Sequence, residues 1–295
     1  SLSYTDPYFT PDGISRGFDL YRRDVDTQSL DIGTYNSSSY GAGVRFGLPL
    51  SERDFFSAGL TADSTKIELS SNSPKQYLDF CGNSSGCTNT SLQLSVGWTH
   101  DSRDNTLFPN KGVLQRLTAE ASVPGLDLQF YKLEYKHAWY KEVFKDTTLL
   151  LNGELGYAGS YGSDKYPFFK NFYIGGVNSV RGYDNGAIGP RDVDTKTNQS
   201  FAIGGTRRVL ANAELFIPVP LLKNSSQFRL SAFFDAGNVY ADNESLSLGE
   251  LRYSTGLGVS WFSPFGPLKL VFAKALNAKE NDQTQTLQFQ LGQQF

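Results

Sequence analysis

Few side chains in this sequence could perform chemistry. The two histidines, His100 and His137, and the two cysteines, Cys81 and Cys87, are its most versatile ligands and nucleophiles. Neither histidine lies near a nucleophile in a recognisable motif, and these four residues do not have the spacing of a zinc site. No phosphate-binding loop follows a strand and opens a helix. The sequence therefore predicts a protein that is not an enzyme, with no metal and no other cofactor.

The two cysteines enclose a short polar loop, GNSSG, at residues 82–86. Such a loop could bring the two Cβ atoms together. A disulfide between Cys81 and Cys87, formed in an oxidising compartment, is favoured over two free thiols.

Charge and hydropathy exclude several classes of protein. The chain has 295 residues, with 27 Lys and Arg against 30 Asp and Glu for a formal net charge of −3, so a basic nucleic-acid-binding protein is not expected. Residues 1–10 have neither a basic nor an apolar region, so we expect any signal peptide to have been removed or never to have belonged to this chain. The longest nearly apolar stretch, Leu215 to Leu222, falls short of the roughly 18 to 20 residues of a membrane helix. A membrane-spanning strand needs only about 9 to 11 residues, so the same patterning is compatible with a β-barrel.

Apolar and polar residues alternate with a period of two, as in a strand with one face in a different solvent from the other. We expect one parity to face lipid, namely Leu149, Leu151, Leu155, Val209, Leu215, Phe228 and Phe234. We expect the other to face the lumen, namely Glu134, Glu154, Glu214 and Asp235. A cross-strand ladder of charges is expected on the lumen parity, formed by Arg116, Glu120, Lys132, Glu134, Lys136 and Glu154.

The length of these segments favours a membrane barrel over a soluble sandwich, since many run roughly 12 to 16 residues and a typical soluble strand has about 5 to 6. Aromatic residues also cluster near segment ends, as in an interfacial girdle. We predict an all-β antiparallel barrel with about thirteen strands, near residues 1–9, 14–29, 34–49, 54–70, 88–101, 112–124, 126–142, 146–160, 205–219, 226–240, 251–263, 267–276 and 284–295. Short connections, including Pro124-Gly125 and residues 219–225, are assigned to the periplasmic side, and the long connections at 71–89, 160–204 and 241–250 to the outside.

Several motifs then point to one family. The long connection holds FFKNFYIGG at 168–176, VRGY at 180–183 and IGP at 188–190. Elsewhere the chain carries YTDPYFTPDG at 4–13, DSRDN at 101–105 followed by Phe108-Pro109 and Gly112, FFDAG at 233–237, SPFGPL at 263–268 and a C-terminal FQLGQQF at 289–295. Together these motifs resemble the BamA family, the bacterial outer-membrane protein assembly factors, over essentially the whole chain.

The resemblance implies a domain organisation. Family members have a sixteen-stranded barrel behind periplasmic POTRA domains, and residues 1–9 match the fourth strand of that barrel. We therefore expect residues 1–295 to be a fragment of the transmembrane barrel without its first three strands, and residues 160–204 to be a long loop folded into it. In such proteins the loop arginine meets acidic residues of the barrel wall, so Arg181 is expected to contact Glu214, Asp235 or both. Val180 and Tyr183 would be packing anchors, and Gly182 would permit close backbone approach.

Two further groups of residues are candidate sites. Asp101, Arg103, Asp104, Pro109 and Gly112 either cap an ordinary turn or have a specific structural role at the periplasmic rim. Phe289, Leu291, Gly292 and Phe295 resemble the C-terminal signal of outer-membrane barrels, in a short last strand that the glycine weakens.

The function implied is assembly and insertion of β-barrel proteins into the bacterial outer membrane, through a seam that opens between the first and last strands. The partners implied are the outer-membrane bilayer, unfolded barrel clients and accessory lipoproteins, with no nucleic acid. The alternative is a polypeptide-secreting pore of the two-partner secretion or autotransporter-assembly type, in which the long loop plugs the lumen.

Overall fold

A computed structural model describes residues 1–26, 35–70, 73–162, 165–193, 200–218, 228–263 and 266–292. Its strands are β1 (Leu2–Asp6), β2 (Ser15–Asp26), β3 (Tyr35–Pro49), β4 (Asp54–Leu69), β5 (Gly86–Asp101), β6 (Gly112–Ser122), β7 (Phe130–Phe144), β8 (Thr147–Ser160), β9 (Arg191–Val193), β10 (Ser200–Ala202), β11 (Arg207–Ile217), β12 (Phe228–Tyr240), β13 (Arg252–Ser263), β14 (Gly266–Ala275) and β15 (Leu287–Leu291). One short helix, α1 (Lys75–Phe80), and 3-10 turns at Phe168–Lys170 and Leu248–Glu250 lie in the connections.

Thirteen of these strands form one antiparallel sheet in chain order, from β1 to β8 and then from β11 to β15. The remaining two, β9 and β10, form a separate two-stranded ribbon within the long connection. This topology confirms the predicted all-β antiparallel fold and its thirteen strands. Among the described residues no pairing joins β1 to β15, so these two strands are the edges of the sheet. No helix in the described part of the chain is long and apolar enough to cross a membrane.

The period-two pattern separates two faces of the sheet. On the outer face Leu151, Leu155 and Phe234 are exposed, whereas Glu214 and Asp235 are buried on the other, which we call the inner face. The inner face is less uniformly polar than the charged residues suggested, because Leu210 and Phe233 also lie on it, buried. Both are covered by the long connection between β8 and β11. An apolar side chain on the inner face is therefore buried where this connection packs against it and excludes water.

The connections lie at the two ends of the strands. We call the end with the short connections the short-turn edge and the end with the long connections the long-loop edge. The assignment of Pro124-Gly125 to the short-turn edge was wrong. That turn joins the end of β6 to the start of β7, which lie beside Gln93 and Ser160 at the long-loop edge. Residues 102–111, between β5 and β6, take its place on the short-turn edge. The predicted turn at 219–225 lies outside the described residues.

The long-loop edge carries a compact cap. The predicted disulfide is present, joining Cys81 to Cys87 with their Cα atoms 5.3 Å apart. It follows α1, whose Tyr77 stacks on Phe168 of the long connection with ring centroids 3.9 Å apart. Buried residues of both connections and of the adjoining ends of β3 and β4 thus form one apolar cluster, Tyr35, Ile67, Leu69, Tyr77, Cys81, Phe168 and Ile203. Burial of this apolar area fixes the base of the long connection at that edge.

Candidate functional site

The VRGY segment of the long connection meets the inner face at Arg181. Its Nε and Nη2 atoms donate to the two oxygens of Asp235, each at 2.7 Å, and Nη1 donates to Glu214 Oε2 at 2.8 Å. The backbone N–H of Arg181 also donates to Asp235 Oδ2, at 3.0 Å. Asp235 therefore receives a bidentate side-chain contact and a backbone contact from one residue, a geometry that a guanidinium makes well and an ammonium does not.

This ion cluster is almost entirely removed from water. The side chains of Arg181, Glu214 and Asp235 are 3%, 5% and 0% exposed. A buried charge without a partner costs several kcal/mol, so each of these groups depends on the others. Lys269 of β14 lines the same cavity as Arg181 and Glu214 and brings a second positive charge near Glu214.

Two neighbours complete the anchoring of Arg181, and sequence analysis did not single them out. The ring of Phe233 lies 3.4 Å from the guanidinium carbon, a close cation–π contact. The Asn212 amide donates to Asp235 Oδ1 and to the Ser179 carbonyl, both at 2.8 Å. Parity offered a signal for each: Asn212 lies two residues before Glu214, and Phe233 lies two residues before Asp235 within FFDAG.

The residues flanking Arg181 pack as the segment requires. Val180 and Tyr183 are fully buried, in a cluster with Ile174, Ile188 and other apolar side chains. Gly182 has φ +85°, and a Cβ built there would lie 3.2 Å from both the Ala273 Cβ and the Ala275 backbone nitrogen. A left-handed conformation in so tight a space is accessible to glycine alone without strain.

The motif at 101–112 forms a closed turn at the short-turn edge. Arg103 donates to Asp101 at 2.9 and 2.8 Å, and Asp104 Oδ1 accepts the N–H groups of Asn110 and Lys111 at 2.9 and 3.2 Å. Partial burial disfavours the ionised form of Asp104, but these backbone donors outweigh it and hold its pKa below the ordinary value. Asp104 thus performs ordinary turn capping.

The same turn is also tied to the inner face. Arg229 of β12 donates to the Pro109 and Phe108 carbonyls at 3.0 and 2.9 Å. Gly112 has φ +109°, and a Cβ built there would meet the Ser102 carbonyl at 2.3 Å. A cavity of about 300 Å³ lies between this turn and the Arg181 cluster. Nowhere in the described residues do three or more His, Cys, Asp or Glu side chains form a group that could hold a metal ion.

The charge ladder lies on the inner face nearer the long-loop edge. Arg208 of β11 contacts Glu134 at 3.1 Å and Glu154 at 3.2 Å. Lys132 and Lys136 add contacts to these carboxylates, at 3.4 Å to Glu134 and 3.0 Å to Glu154 respectively. Lys170, in the long connection, pairs with Glu120. The ladder therefore spans several strands and also reaches the loop.

The last strand is short. Phe289 and Leu291 are exposed on the outer face of β15 and pair with Leu270 and Leu268 of β14. Gly292 lies after the strand, where it has φ +82° and donates to the Pro267 carbonyl at 2.9 Å. Gly292 therefore lies one residue beyond β15, and the weakening of the last strand by this glycine stays a prediction. Phe295 lies outside the described residues.

Comparisons with known proteins agree on one family. A model of the Omp85 superfamily domain matches residues 1–295. The outer membrane protein assembly factor BamA of Neisseria meningitidis serogroup B is 38% identical over 329 aligned residues, which cover 100% of this chain and 41% of that protein. The sorting assembly machinery 50 kDa subunit of Saccharomyces cerevisiae is 31% identical over 217 residues, covering 69% of this chain and 43% of that protein.

A solved structure shares the fold. BamA from Haemophilus ducreyi lacking POTRA domains 1-3 superposes with a TM-score of 0.89 at 27% identity, covering 98% of this chain and 60% of that one. The chain thus spans about two fifths of the length of the two curated relatives.

Proposed function

The chain belongs to the Omp85 superfamily, and from that premise we propose that it is the barrel region of a protein that assembles β-barrel proteins and inserts them into the bacterial outer membrane. The chain is located in the outer membrane, as its curated relative is named for, and it has the antiparallel fold of the solved BamA structure. The observation that carries the proposal is the buried contact of the VRGY loop with Glu214 and Asp235, in a sheet whose two edges are short strands. We place residues 160–204 inside the lumen, the short-turn edge in the periplasm and the outer face in lipid.

Edge pairing supplies the mechanism. An edge strand presents unpaired N–H and C=O groups, which can template a strand of another chain. β14 and β15 pair over five residues, against fifteen for β4 and β5, so the last strand is held by few backbone hydrogen bonds. In this mechanism an unfolded client adds strands at the seam while the loop braces β11 and β12 of the barrel wall. Accessory lipoproteins and the lipid bilayer are the other proposed partners.

A polypeptide-secreting pore is the less supported alternative. The curated relatives are named for assembly or sorting, and we carry those activities to this chain only as a proposal. The functional residues in this mechanism bind, brace and pair, and none of them has to transfer a group or a proton.

Client folding measured beside conductance tests the proposal. The full-length parent protein, reconstituted into liposomes, should accelerate folding of a purified, urea-unfolded outer-membrane barrel, followed by its heat-modifiable gel mobility. Arg181→Ala should lower this acceleration. Arg22→Ala is a matched control, because Arg22 forms an exposed pair with Asp24. Large steady conductance in planar bilayers, without acceleration of client folding, would support the pore instead.

The proposed orientation of the faces has its own test. Glu154 and Leu155 are adjacent residues of opposite parity on β8. With a cysteine at each position in turn, a membrane-impermeant polar maleimide should label Glu154→Cys and spare Leu155→Cys in intact membranes. Equal labelling of both would contradict the assignment of lumen and lipid.

A further inference from the structure

Gln288 is a buried amide on the last strand. Its neighbours Leu287 and Phe289 point outward and are exposed, whereas Gln288 is 2% exposed on the inner face opposite Val271. A glutamine side chain in such a place has three or four hydrogen-bonding positions to satisfy, or it destabilises the fold.

The partners of this amide are backbone groups of the VRGY segment. Gln288 Oε1 accepts the N–H of Gly182 at 3.1 Å, and Gln288 Nε2 donates to the Tyr183 carbonyl at 2.7 Å. One side chain on β15 thus contacts two successive residues of the loop, one as an acceptor and the other as a donor.

Backbone pairing continues this contact upstream of β15. The N–H of Gln285 donates to the Gly182 carbonyl, and the N–H of Asp184 donates to the Gln283 carbonyl, both at 3.0 Å. Tyr183 and Thr284 form an antiparallel bridge between these bonds. The loop tip therefore acts as a short strand for the segment that leads into β15.

The loop tip also lies against β14. Pairing of β14 with β15 runs from Leu268 to Phe272, and Gly182 approaches the backbone of β14 immediately beyond, at Ala273 to Ala275. Gly182 thus occupies the space between the end of β14 and the segment that precedes β15. A side chain at this position would press against Ala273 and Ala275 of β14.

We propose that Gln288 is a positioning residue that fastens the last strand to the loop tip. Arg181 ties the same tip to Asp235 on β12, so Asp235, Arg181, Gly182 and Gln288 form a continuous chain of contacts from the wall to the seam strand. Displacement of β15 then requires either that the Gln288 bonds break or that the loop tip moves with it. The coupling goes beyond the proposed assembly function and does not depend on it.

This role requires an amide side chain, which supplies both a donor and an acceptor. Gln288→Leu removes both the donor and the acceptor and leaves the Gly182 N–H and the Tyr183 carbonyl without these partners. Gln288→Glu keeps the length and the acceptor for Gly182 but loses the donor to Tyr183. Gln283→Leu is a matched control, because the Gln283 side chain is exposed and only its backbone carbonyl contacts the loop.

Amide hydrogen exchange of the full-length protein in liposomes, resolved by mass spectrometry of peptides covering residues 180–184 and 283–291, tests the coupling. Gln288→Leu should raise exchange about tenfold in both peptides. The loss of a buried hydrogen bond is expected to raise the equilibrium constant for local opening by about that factor. Gln288→Glu should also raise exchange, because its buried carboxyl group would face the Tyr183 carbonyl without a donor, and Gln283→Leu should not change it. Arg181→Ala should in turn raise exchange in the 283–291 peptide.

Two results would overturn the proposal. The first is unchanged exchange at 180–184 in both Gln288 variants, which would mean that the loop tip is held without Gln288. The second is an equal rise in Gln283→Leu. If Gln288→Leu does not fold, judged by heat-modifiable mobility, Gln288→Glu measured on the same peptides decides the question. No client is present in this experiment, so the coupling and the assembly function can fail separately.

Discussion

Arg181 of the loop and Arg208 of β11 each contact two carboxylates on the inner face. The two clusters differ in their exposure to water. Arg181 contacts Glu214 and Asp235, with all three side chains at most 5% exposed. Arg208 contacts Glu134 and Glu154, with exposures of 19%, 35% and 12%. The ion pairs have similar lengths. Screening by water and ions weakens each contact of Arg208 and lowers the free-energy cost of removing one partner. Burial, more than the number of ion pairs, should therefore decide how much each cluster contributes.

Removal of Arg181 should give the largest effect. Arg181→Ala leaves Glu214 and Asp235 buried near each other without their guanidinium, and such a loss typically costs about 3–5 kcal/mol. The free energy of unfolding, from reversible urea titration of the barrel in liposomes, should fall by that order. Arg22→Ala should leave it nearly unchanged, since that pair is exposed. A loss below about 1 kcal/mol for Arg181→Ala would mean that water enters the cluster.

Asp235→Ala sharpens the comparison through non-additivity. Asp235 accepts three hydrogen bonds from Arg181, so each single substitution removes most of what the other would remove. The double variant Arg181→Ala/Asp235→Ala should lose less stability than the sum of the single variants, by roughly 1–3 kcal/mol. Unfolding of the four proteins under identical conditions gives this coupling energy. A loss equal to the sum would exclude direct coupling.

Arg208→Ala should give the smallest effect of the three. Its contacts are partly hydrated, so we expect a loss of about 1 kcal/mol or less. Because ions screen exposed pairs, the loss should shrink further when the salt concentration is raised from about 0.01 to 1 M. The loss in Arg181→Ala should change little over the same range. An equal salt response in the two variants would remove the distinction between the clusters.

The cap at the long-loop edge shows which contacts can be predicted from local sequence. Cys81 and Cys87 are six positions apart, so a short chain segment already limits their separation and the disulfide was predictable. The stacking of Tyr77 on Phe168 was not predictable, because it joins two connections on different strand pairs.

Period-two alternation, together with the turn signals that bound each segment, predicted about thirteen strands, because a strand between two environments alternates in polarity at every second residue. For example, the predicted strand at 54–70 corresponds to β4 at Asp54–Leu69. The VRGY resemblance likewise predicted Arg181 and its two acidic partners from the sequence. Local patterns did not predict which turn lies at which edge, as Pro124-Gly125 shows. The predicted strands are the same whichever edge a connection is assigned to.

Arg181 meets Asp235 across 54 positions of sequence, and Gln288 meets Gly182 across 106. Polar alternation could place Gln288 on the inner face, but its choice of partner depends on where the loop tip comes to rest. Parity likewise places Phe233 on the inner face two residues before Asp235, but its contact with the Arg181 guanidinium depends on the position of the loop. Face and period are properties of neighbouring residues along the chain, whereas partners in a buried cluster are set by packing between distant segments, which excludes water and makes those contacts strong.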